Sequence, residues 1–286
     1  LFGWAILWAL AYSTKESAYL LAGMFGLLLL VAAAPSLWGW ARGRRRLADV
    51  SPPGDLLIVL GTLSLPLWAP VTGLVQKTLG IVLVNPDMND PRIESGEIIR
   101  AAAETGAPVG GALYIAGFIL LVFIGLSISI GLLWDRRRWP LLAASFAAIW
   151  LALFTSLFTN WQGFFTGFWG SLGYWIAQQA VERASQPWYY YIVGLWVYES
   201  LVLAPALVGS VYLIWRRQSA FDGFIVCWAA LNFVLYTIAG EKMPWLLVEV
   251  ALPFIVLAGK FLGECLLRSL STYDQTPSLS KVVESA

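Results

Sequence analysis

The chain of 286 residues contains no histidine and two cysteines, and only 12% of it is charged. The first absence rules out imidazole acid-base catalysis and imidazole metal ligation. Cys227 and Cys265 both fall inside apolar stretches, with no ligand-like spacing, which argues against a structural disulfide and a thiolate metal centre. A net charge of +1 gives no reason to expect a nucleic-acid partner. An initiator methionine and the basic flank of a signal peptide are also lacking. The chain opens on Leu1 inside an apolar run and reads as a fragment whose natural start lies upstream.

What fills the composition instead is apolar. At 59% hydrophobic residues and a mean hydropathy of +0.73, too little polar surface is left to cover a soluble domain. Runs near the length that spans a bilayer lie at 1–13, 18–40, 55–75, 111–134, 140–159, 189–215, 222–240 and 245–267. None alternates as a barrel strand does, so the expected fold is all-α: a polytopic transmembrane helix bundle of about eight spans. It would form one helical domain over 1–268 with large connections at 76–110 and 160–188. The Ser- and Thr-containing stretch 269–286 reads as a cytoplasmic tail.

Orientation follows from where the cations sit, because Lys and Arg are retained on the cytoplasmic side. One set of junctions holds Arg42, Arg44, Arg45, Arg46, Arg136, Arg137, Arg138, Arg216, Arg217, Arg268 and Lys281. The other set holds Lys15, Lys77, Arg92, Arg100, Arg183 and Lys242 over longer loops. The first set, facing anionic headgroups of the cell membrane, places both termini in the cytoplasm. Ser13–Ser17, Gln76–Gly110, Asn160–Trp188 and Glu241–Pro244 are then extracytoplasmic, and any chemistry belongs there.

Sixteen tryptophans, several near span ends (Trp38, Trp40, Trp139, Trp161, Trp169, Trp175, Trp188 and Trp245), suit interfacial anchoring. Pro66, Pro70, Pro205 and Pro253 imply kinks within spans. In the 160–188 connection, Phe164, Phe165, Phe168 and Trp169 alternate with glycines as in a re-entrant or surface-lying segment. The following stretch, Tyr174–Ser185, predicts a helix ended by Gln186-Pro187. Trp175, Gln178, Gln179, Glu182, Arg183 and Gln186 gather along its polar face. That face fits hydrogen bonding to a sugar or phosphate, and equally a solvated side of an interfacial helix.

Two lysine-glutamate doublets, Lys15-Glu16 and Glu241-Lys242, sit at outer helix ends. Each lysine can meet a lipid-linked phosphate as a point charge, or simply neutralise its neighbour. Glu199 and Glu249 lie deeper, where an unpaired carboxylate is costly, so both should face a polar cavity, a partner or each other. The 76–110 loop carries Asp87, Asp90, Glu94, Glu97 and Glu104 and could serve as a substitute active site, with Asp87 and Asp90 spaced so that a divalent cation could bind. The competing reading is solvated acids neutralised by Arg92 and Arg100, and Ile93–Thr105 could form a short surface helix.

The words Phe158-Thr159-Asn160, Tyr174-Trp175-Ile176-Ala177-Gln178-Gln179, Gln186-Pro187-Trp188-Tyr189-Tyr190-Tyr191 and Glu241-Lys242-Met243-Pro244-Trp245-Leu246 resemble the flippase activity-associated family of membrane proteins. That family is similar to the C-type glycosyltransferases, including the dolichyl-phosphate-mannose protein mannosyltransferases. Thr14-Lys15-Glu16 is similar to the Thr-Lys step those enzymes carry at an outer helix end, and the resemblance spans roughly 5–265. It implies transfer of a sugar from a polyprenyl-phosphate donor to an acceptor on the outer face. Lys15 would meet the donor phosphate, with Arg183 and Lys242 as helpers. Glu16, Gln178, Gln179, Gln186, Trp188 and Glu241 would contact sugar or acceptor. The catalytic acidic pair is expected upstream of Leu1. Glu249 departs from the pattern, where histidine is common. Membrane lipids, the lipid-linked sugar and membrane protein subunits are the partner classes implied. The rival expectations are a non-catalytic subunit or scaffold of a larger complex, and a component that assists flipping of lipid-linked sugar. No inverted repeat supports a secondary transporter.

Overall fold

A computed structural model describes residues 1–181, 186–216, 219–239 and 242–275, the last five through their backbone. Among them every regular element is helical. Arg183 and Glu241, expected at the site, lie outside the described residues, as does 276–286. The chain divides into two compact units, Leu1–Arg183 and Ala184–Ala286.

The first unit contains α1 (Phe2–Thr14), α2 (Ser17–Ala41), α3 (Pro52–Ser64), α4 (Ala112–Trp134), α5 (Arg138–Phe154) and α6 (Ser171–Gln178). Lipid tails are as apolar as leucine, so hydrophobicity does not choose helix partners here; close approach and polar ties do. On α1, Ala5, Trp8, Ala9 and Tyr12 form one buried stripe at helical spacing, its two alanines admitting the neighbouring backbone. The helix packs closely on α5, which buries Leu142, Phe146 and Trp150 at four-residue intervals. Pro66 and Pro70 fall where α3 tightens into a 3-10 stretch, Leu65–Val75, so the proline effect appears as overwinding.

Polar ties link α3 to the helices around it. The Thr62 hydroxyl donates to Ile58 O (2.6 Å) and accepts from the Trp139 indole (3.0 Å), while Ser127 donates to Thr62 O. The Trp134 indole donates to Asp55 Oδ1 (2.9 Å) and that of Trp4 to Leu56 O (3.1 Å). Gly131 lets the Trp139 ring lie against the α4 backbone, since a Cβ there would overlap the ring. Trp139, expected at the interface, is therefore buried, as is Trp169; Trp38, Trp161, Trp188 and Trp245 remain exposed.

The second unit contains α7 (Tyr190–Tyr198), α8 (Ser200–Arg216), α9 (Ala220–Ile238) and α10 (Leu247–Gln275). Gly209 of α8 accommodates Phe261 of α10 at 2.7 Å from where a Cβ would stand. The run read as one span over 189–215 is broken: α7 and α8 meet at 108°, and Glu199 sits at the break. Ser219 and Asp222 cap α9 reciprocally. The start of the expected tail, 269–275, continues α10.

Five helices among the described residues are long and apolar enough to cross a membrane, or six if the bent α7–α8 pair is one span. Of the eight expected spans, the remaining two are the shorter helices α1 and α5, of 13 and 17 residues.

Replacing Thr62 with Val strands the buried Trp139 donor and should cost about 1–3 kcal/mol. Ser129→Ala removes an exposed hydroxyl bonded within its own helix (2.7 Å to Gly125 O) and should stay within about 0.5 kcal/mol. Unfolding of purified protein in detergent distinguishes the two.

Candidate functional site

Two adjoining cavities lie in the first unit. The first, of about 450 Å³, is lined by Tyr12 to Glu16 at the α1–α2 corner, by Glu104, Thr105 and Ala107, and by Phe154, Thr166, Gly170, Ser171 and Tyr174. The second, of about 650 Å³, has an aromatic wall of Trp161, Phe164, Phe165, Phe168 and Trp169. Its opposite side is the small and aliphatic face of α4, from Leu113 to Leu120. Glu104, Ala107, Thr166 and Gly170 border both, so a polar pocket opens beside an apolar one.

The α1–α2 corner builds the polar end. α1 stops because Lys15 is extended (φ −160°, ψ 148°), and α2 restarts within two residues. The Ser13 hydroxyl donates to Ala9 O (2.8 Å) and the Thr14 hydroxyl to Leu10 O and Ala11 O (2.9 and 2.8 Å). Lys15, exposed, and Glu16, half-buried, are thereby presented at the pocket.

The second element is the connection after the 3-10 stretch, and it is organised by Asn85, which is fully buried. Its Nδ2 donates to Ala101 O (3.1 Å), Ala103 O (2.6 Å) and Glu104 O (3.3 Å), and its Oδ1 accepts from Ala101 N (3.1 Å). Its backbone bonds Ala107 O (3.0 Å) and Gly106 N (2.8 Å). Gln76 clasps the Val84 backbone through both amide atoms (2.7 and 3.0 Å), and the Trp169 indole donates to Leu83 O (2.9 Å). Gly106 (φ +82°) then rests directly on Gly173 and Tyr174, where a side chain on either glycine would overlap the other's backbone. The result is Glu104 held at the boundary of the two cavities.

The aromatic wall comes from a continuous helical segment, 162–178, whose middle, Thr166–Gly170, widens into a π turn. Gly163 and Gly167 bring it against Phe154 and Trp150. Before it, Ser156, Leu157 and Phe158 all have φ between 49° and 66°, one turn of left-handed backbone, at a cost of about 1–2 kcal/mol per residue. Buried Thr155 holds this turn, its hydroxyl donating to Leu151 O (2.6 Å) and accepting from Phe158 N (3.0 Å).

Of the residues singled out from sequence, Lys15 and Glu16 line the polar cavity. Gln178 is buried on the far side of α6, donating to Asp87 Oδ2, and Gln179 donates to Trp175 O (3.2 Å). Neither lines these two cavities. Gln186 and Trp188 are exposed and belong to the second unit, as does Lys242, whose ammonium donates to Ala239 O (3.0 Å). In that unit Glu249 accepts from the Tyr236 hydroxyl, and its backbone carbonyl accepts from Asn232 (2.8 Å). Of the loop's five acids, Asp87, Asp90, Glu94, Glu97 and Glu104, which the sequence leaves open between a substitute active site and solvated charges, Glu104 alone lines these two cavities.

The Asp87 and Asp90 carboxylates are each committed to a protein donor. Arg92 grips Asp90 through Nε and Nη2 (3.0 and 2.7 Å) and through its amide (3.0 Å). Among the described residues no three acidic or cysteine side chains converge as metal ligands. The expected helix over Ile93–Thr105 is present only as one turn, Pro91–Glu94.

The Arg92 side chain beside Asp90, its largest influence, holds that carboxyl below the usual carboxylate range. A depressed folded value means stabilisation that is present above the unfolded value, about pH 4, and is lost as pH falls through the folded one. Protection of the Ile93 amide, which bonds Asp90 O (2.9 Å), relative to the intrinsic exchange rate at each pH, should therefore fall on acidification below about pH 4, and Asp90→Asn should abolish that step. Asn85→Leu leaves the Ala101 and Ala103 backbone groups unmet, and should lower stability by about 1–3 kcal/mol or more while raising exchange across 101–107. No family model, curated protein or solved structure matches this chain.

Proposed function

We propose that this protein is a membrane glycosyltransferase-like protein that moves a sugar from a polyprenyl-phosphate donor to an acceptor on the extracytoplasmic face of the cell membrane. The observation that carries the reading is the polar pocket holding Lys15 joined to an apolar cavity. A ligand with an anionic head and a branched hydrocarbon tail needs both within reach, side by side. The resemblance at Thr14-Lys15-Glu16 and along 158–191 supports the same reading, as does the arginine distribution, which favours eight crossings with the α1–α2 corner outside and both ends of the chain inside.

Lys15 is the one cation among the described residues lining the polar pocket. In this reading its ammonium binds the phosphate of the donor and, as the bond from the anomeric carbon to phosphate breaks, stabilises the charge that grows on the departing lipid phosphate. The tail lies against Phe164, Phe165, Phe168 and the α4 face, where burying it releases water from apolar surface. The π turn contributes Thr166 and Gly170 to both cavities and so fixes the distance from head to tail.

Full-length protein in liposomes, given radiolabelled polyprenyl-phosphate sugar, should transfer label, and Lys15→Ala should slow transfer about a hundredfold. Undiminished transfer by that variant would remove Lys15 from the phosphate site. Absence of transfer across neutral and amino-sugar donors would count against the enzymatic reading.

A further inference from the structure

We propose that α7 does not cross the membrane but lies along its surface, on the side read as extracytoplasmic, with one aromatic and aliphatic face seated where lipid headgroups meet acyl chains. The partner of this face is the bilayer itself. The inference concerns the second unit alone and does not rest on the donor site.

The direction of α7 carries it. The axes of α7 and α8 meet at 108°, which is 18° beyond a right angle, so when one stands along the membrane normal the other runs close to the plane. Length decides which is which. At a rise of 1.5 Å per residue the 17 residues of α8 reach about 25 Å and the 9 of α7 about 13 Å, against a hydrocarbon core of about 30 Å. Contacts agree: the Tyr191 hydroxyl accepts from the Met243 amide (3.3 Å), and its ring lies edge-on to Tyr236, near the end of α9 (6.4 Å). Gly194 admits Leu247, the first residue of α10, to 3.2 Å from where a Cβ would stand. α7 therefore rests on the ends of α9 and α10 nearest the connection between them.

Its two faces differ as an interfacial helix requires. Tyr191 and Leu195, four residues apart, are buried. Ile192, Val193, Trp196 and Val197 recur at helical spacing on the opposite side, all exposed, and the surface continues through Leu201 (91% exposed) onto the lipid-facing side of α8. Tyr189 and Tyr198 stand exposed at its two ends. Indole and phenol suit the headgroup boundary, because each buries a ring while keeping a polar atom wet.

The bend also resolves a problem of charge. In one straight helix over 189–215, Glu199 would stand about 15 Å down, at mid-membrane. Among the described residues no hydrogen bond or ion pair meets its half-buried carboxylate, a costly state in hydrocarbon. Placed at the elbow, with Tyr198 and Ser200 beside it, the carboxylate reaches headgroup level and water.

The test uses the full chain in lipid nanodiscs, with Cys227→Ser/Cys265→Ser removing the native thiols and one spin label introduced by Val193→Cys, Val197→Cys or Leu207→Cys. Power-saturation EPR with oxygen and a water-soluble nickel chelate reads the depth of each label. Labels at 193 and 197 should lie within about 3 Å of one depth and no more than about 10 Å below the phosphates, with 207 deeper than 197 by at least about 8 Å. Depth that grows steadily by about 1.5 Å per residue from 193 to 207 restores a straight span and overturns the proposal. So do labels at 193 and 197 as open to the nickel chelate as a soluble peptide, since the face would then lie in water. Glu199→Cys in the same background gives an independent reading: it should react with a charged maleimide at least about tenfold faster than Leu207→Cys, and equal protection of the two overturns the placing of the elbow.

Discussion

A buried amide, that of Asn85, holds together the part of the molecule where chemistry is proposed. A chain leaving a helix exposes backbone groups that must be met by protein or water, and 81–109 leaves helical structure for most of its length. Asn85 meets that demand with both side-chain atoms and both backbone groups, bonding residues sixteen to twenty-two positions away. The Gln76 clasp and the Trp169 indole hold the start of the same segment. Without these bonds the loop would be a floppy excursion over the bundle. With them it forms one wall of two cavities and carries a carboxylate to the line between them.

The apolar cavity depends on a different device. Its wall is a helix with a π turn, pressed onto α5 through glycines, and it is reached through three consecutive left-handed residues. Such backbone persists only where the surroundings over-determine it. Here the buried hydroxyl of Thr155 and the packing of Phe154 and Trp150 supply that restraint. The second unit shows a related economy. Glu249 is accommodated at depth by Tyr236 on its carboxylate and by Asn232 on its carbonyl, so two residues of α9 fix one turn of α10.

Much of this was legible in the sequence wherever the signal is local. Apolar runs located the long helices within a few residues, and the Thr14-Lys15-Glu16 step marked a corner that does open on a cavity. Three features were not legible, each for a long-range reason. Gln178 looked like part of a polar stripe, because helical spacing cannot reveal that a loop ninety-one residues away covers that side of α6. Trp139 and Trp169 looked like interfacial anchors, since composition does not distinguish an indole facing headgroups from one donating to a buried acceptor. Glu104 looked like one solvated acid among several, for its position is set by Asn85, nineteen residues earlier.

The contact of Gly106 with Gly173 joins two segments far apart in the chain at a point where neither tolerates a β-carbon. A side chain at either position meets the other's backbone, so no substitution at one can compensate a change at the other. Over evolutionary time the two glycines should behave as a single inherited character, and a lineage that loses one should rebuild the whole junction between loop and helix, with a differently shaped chamber beneath it.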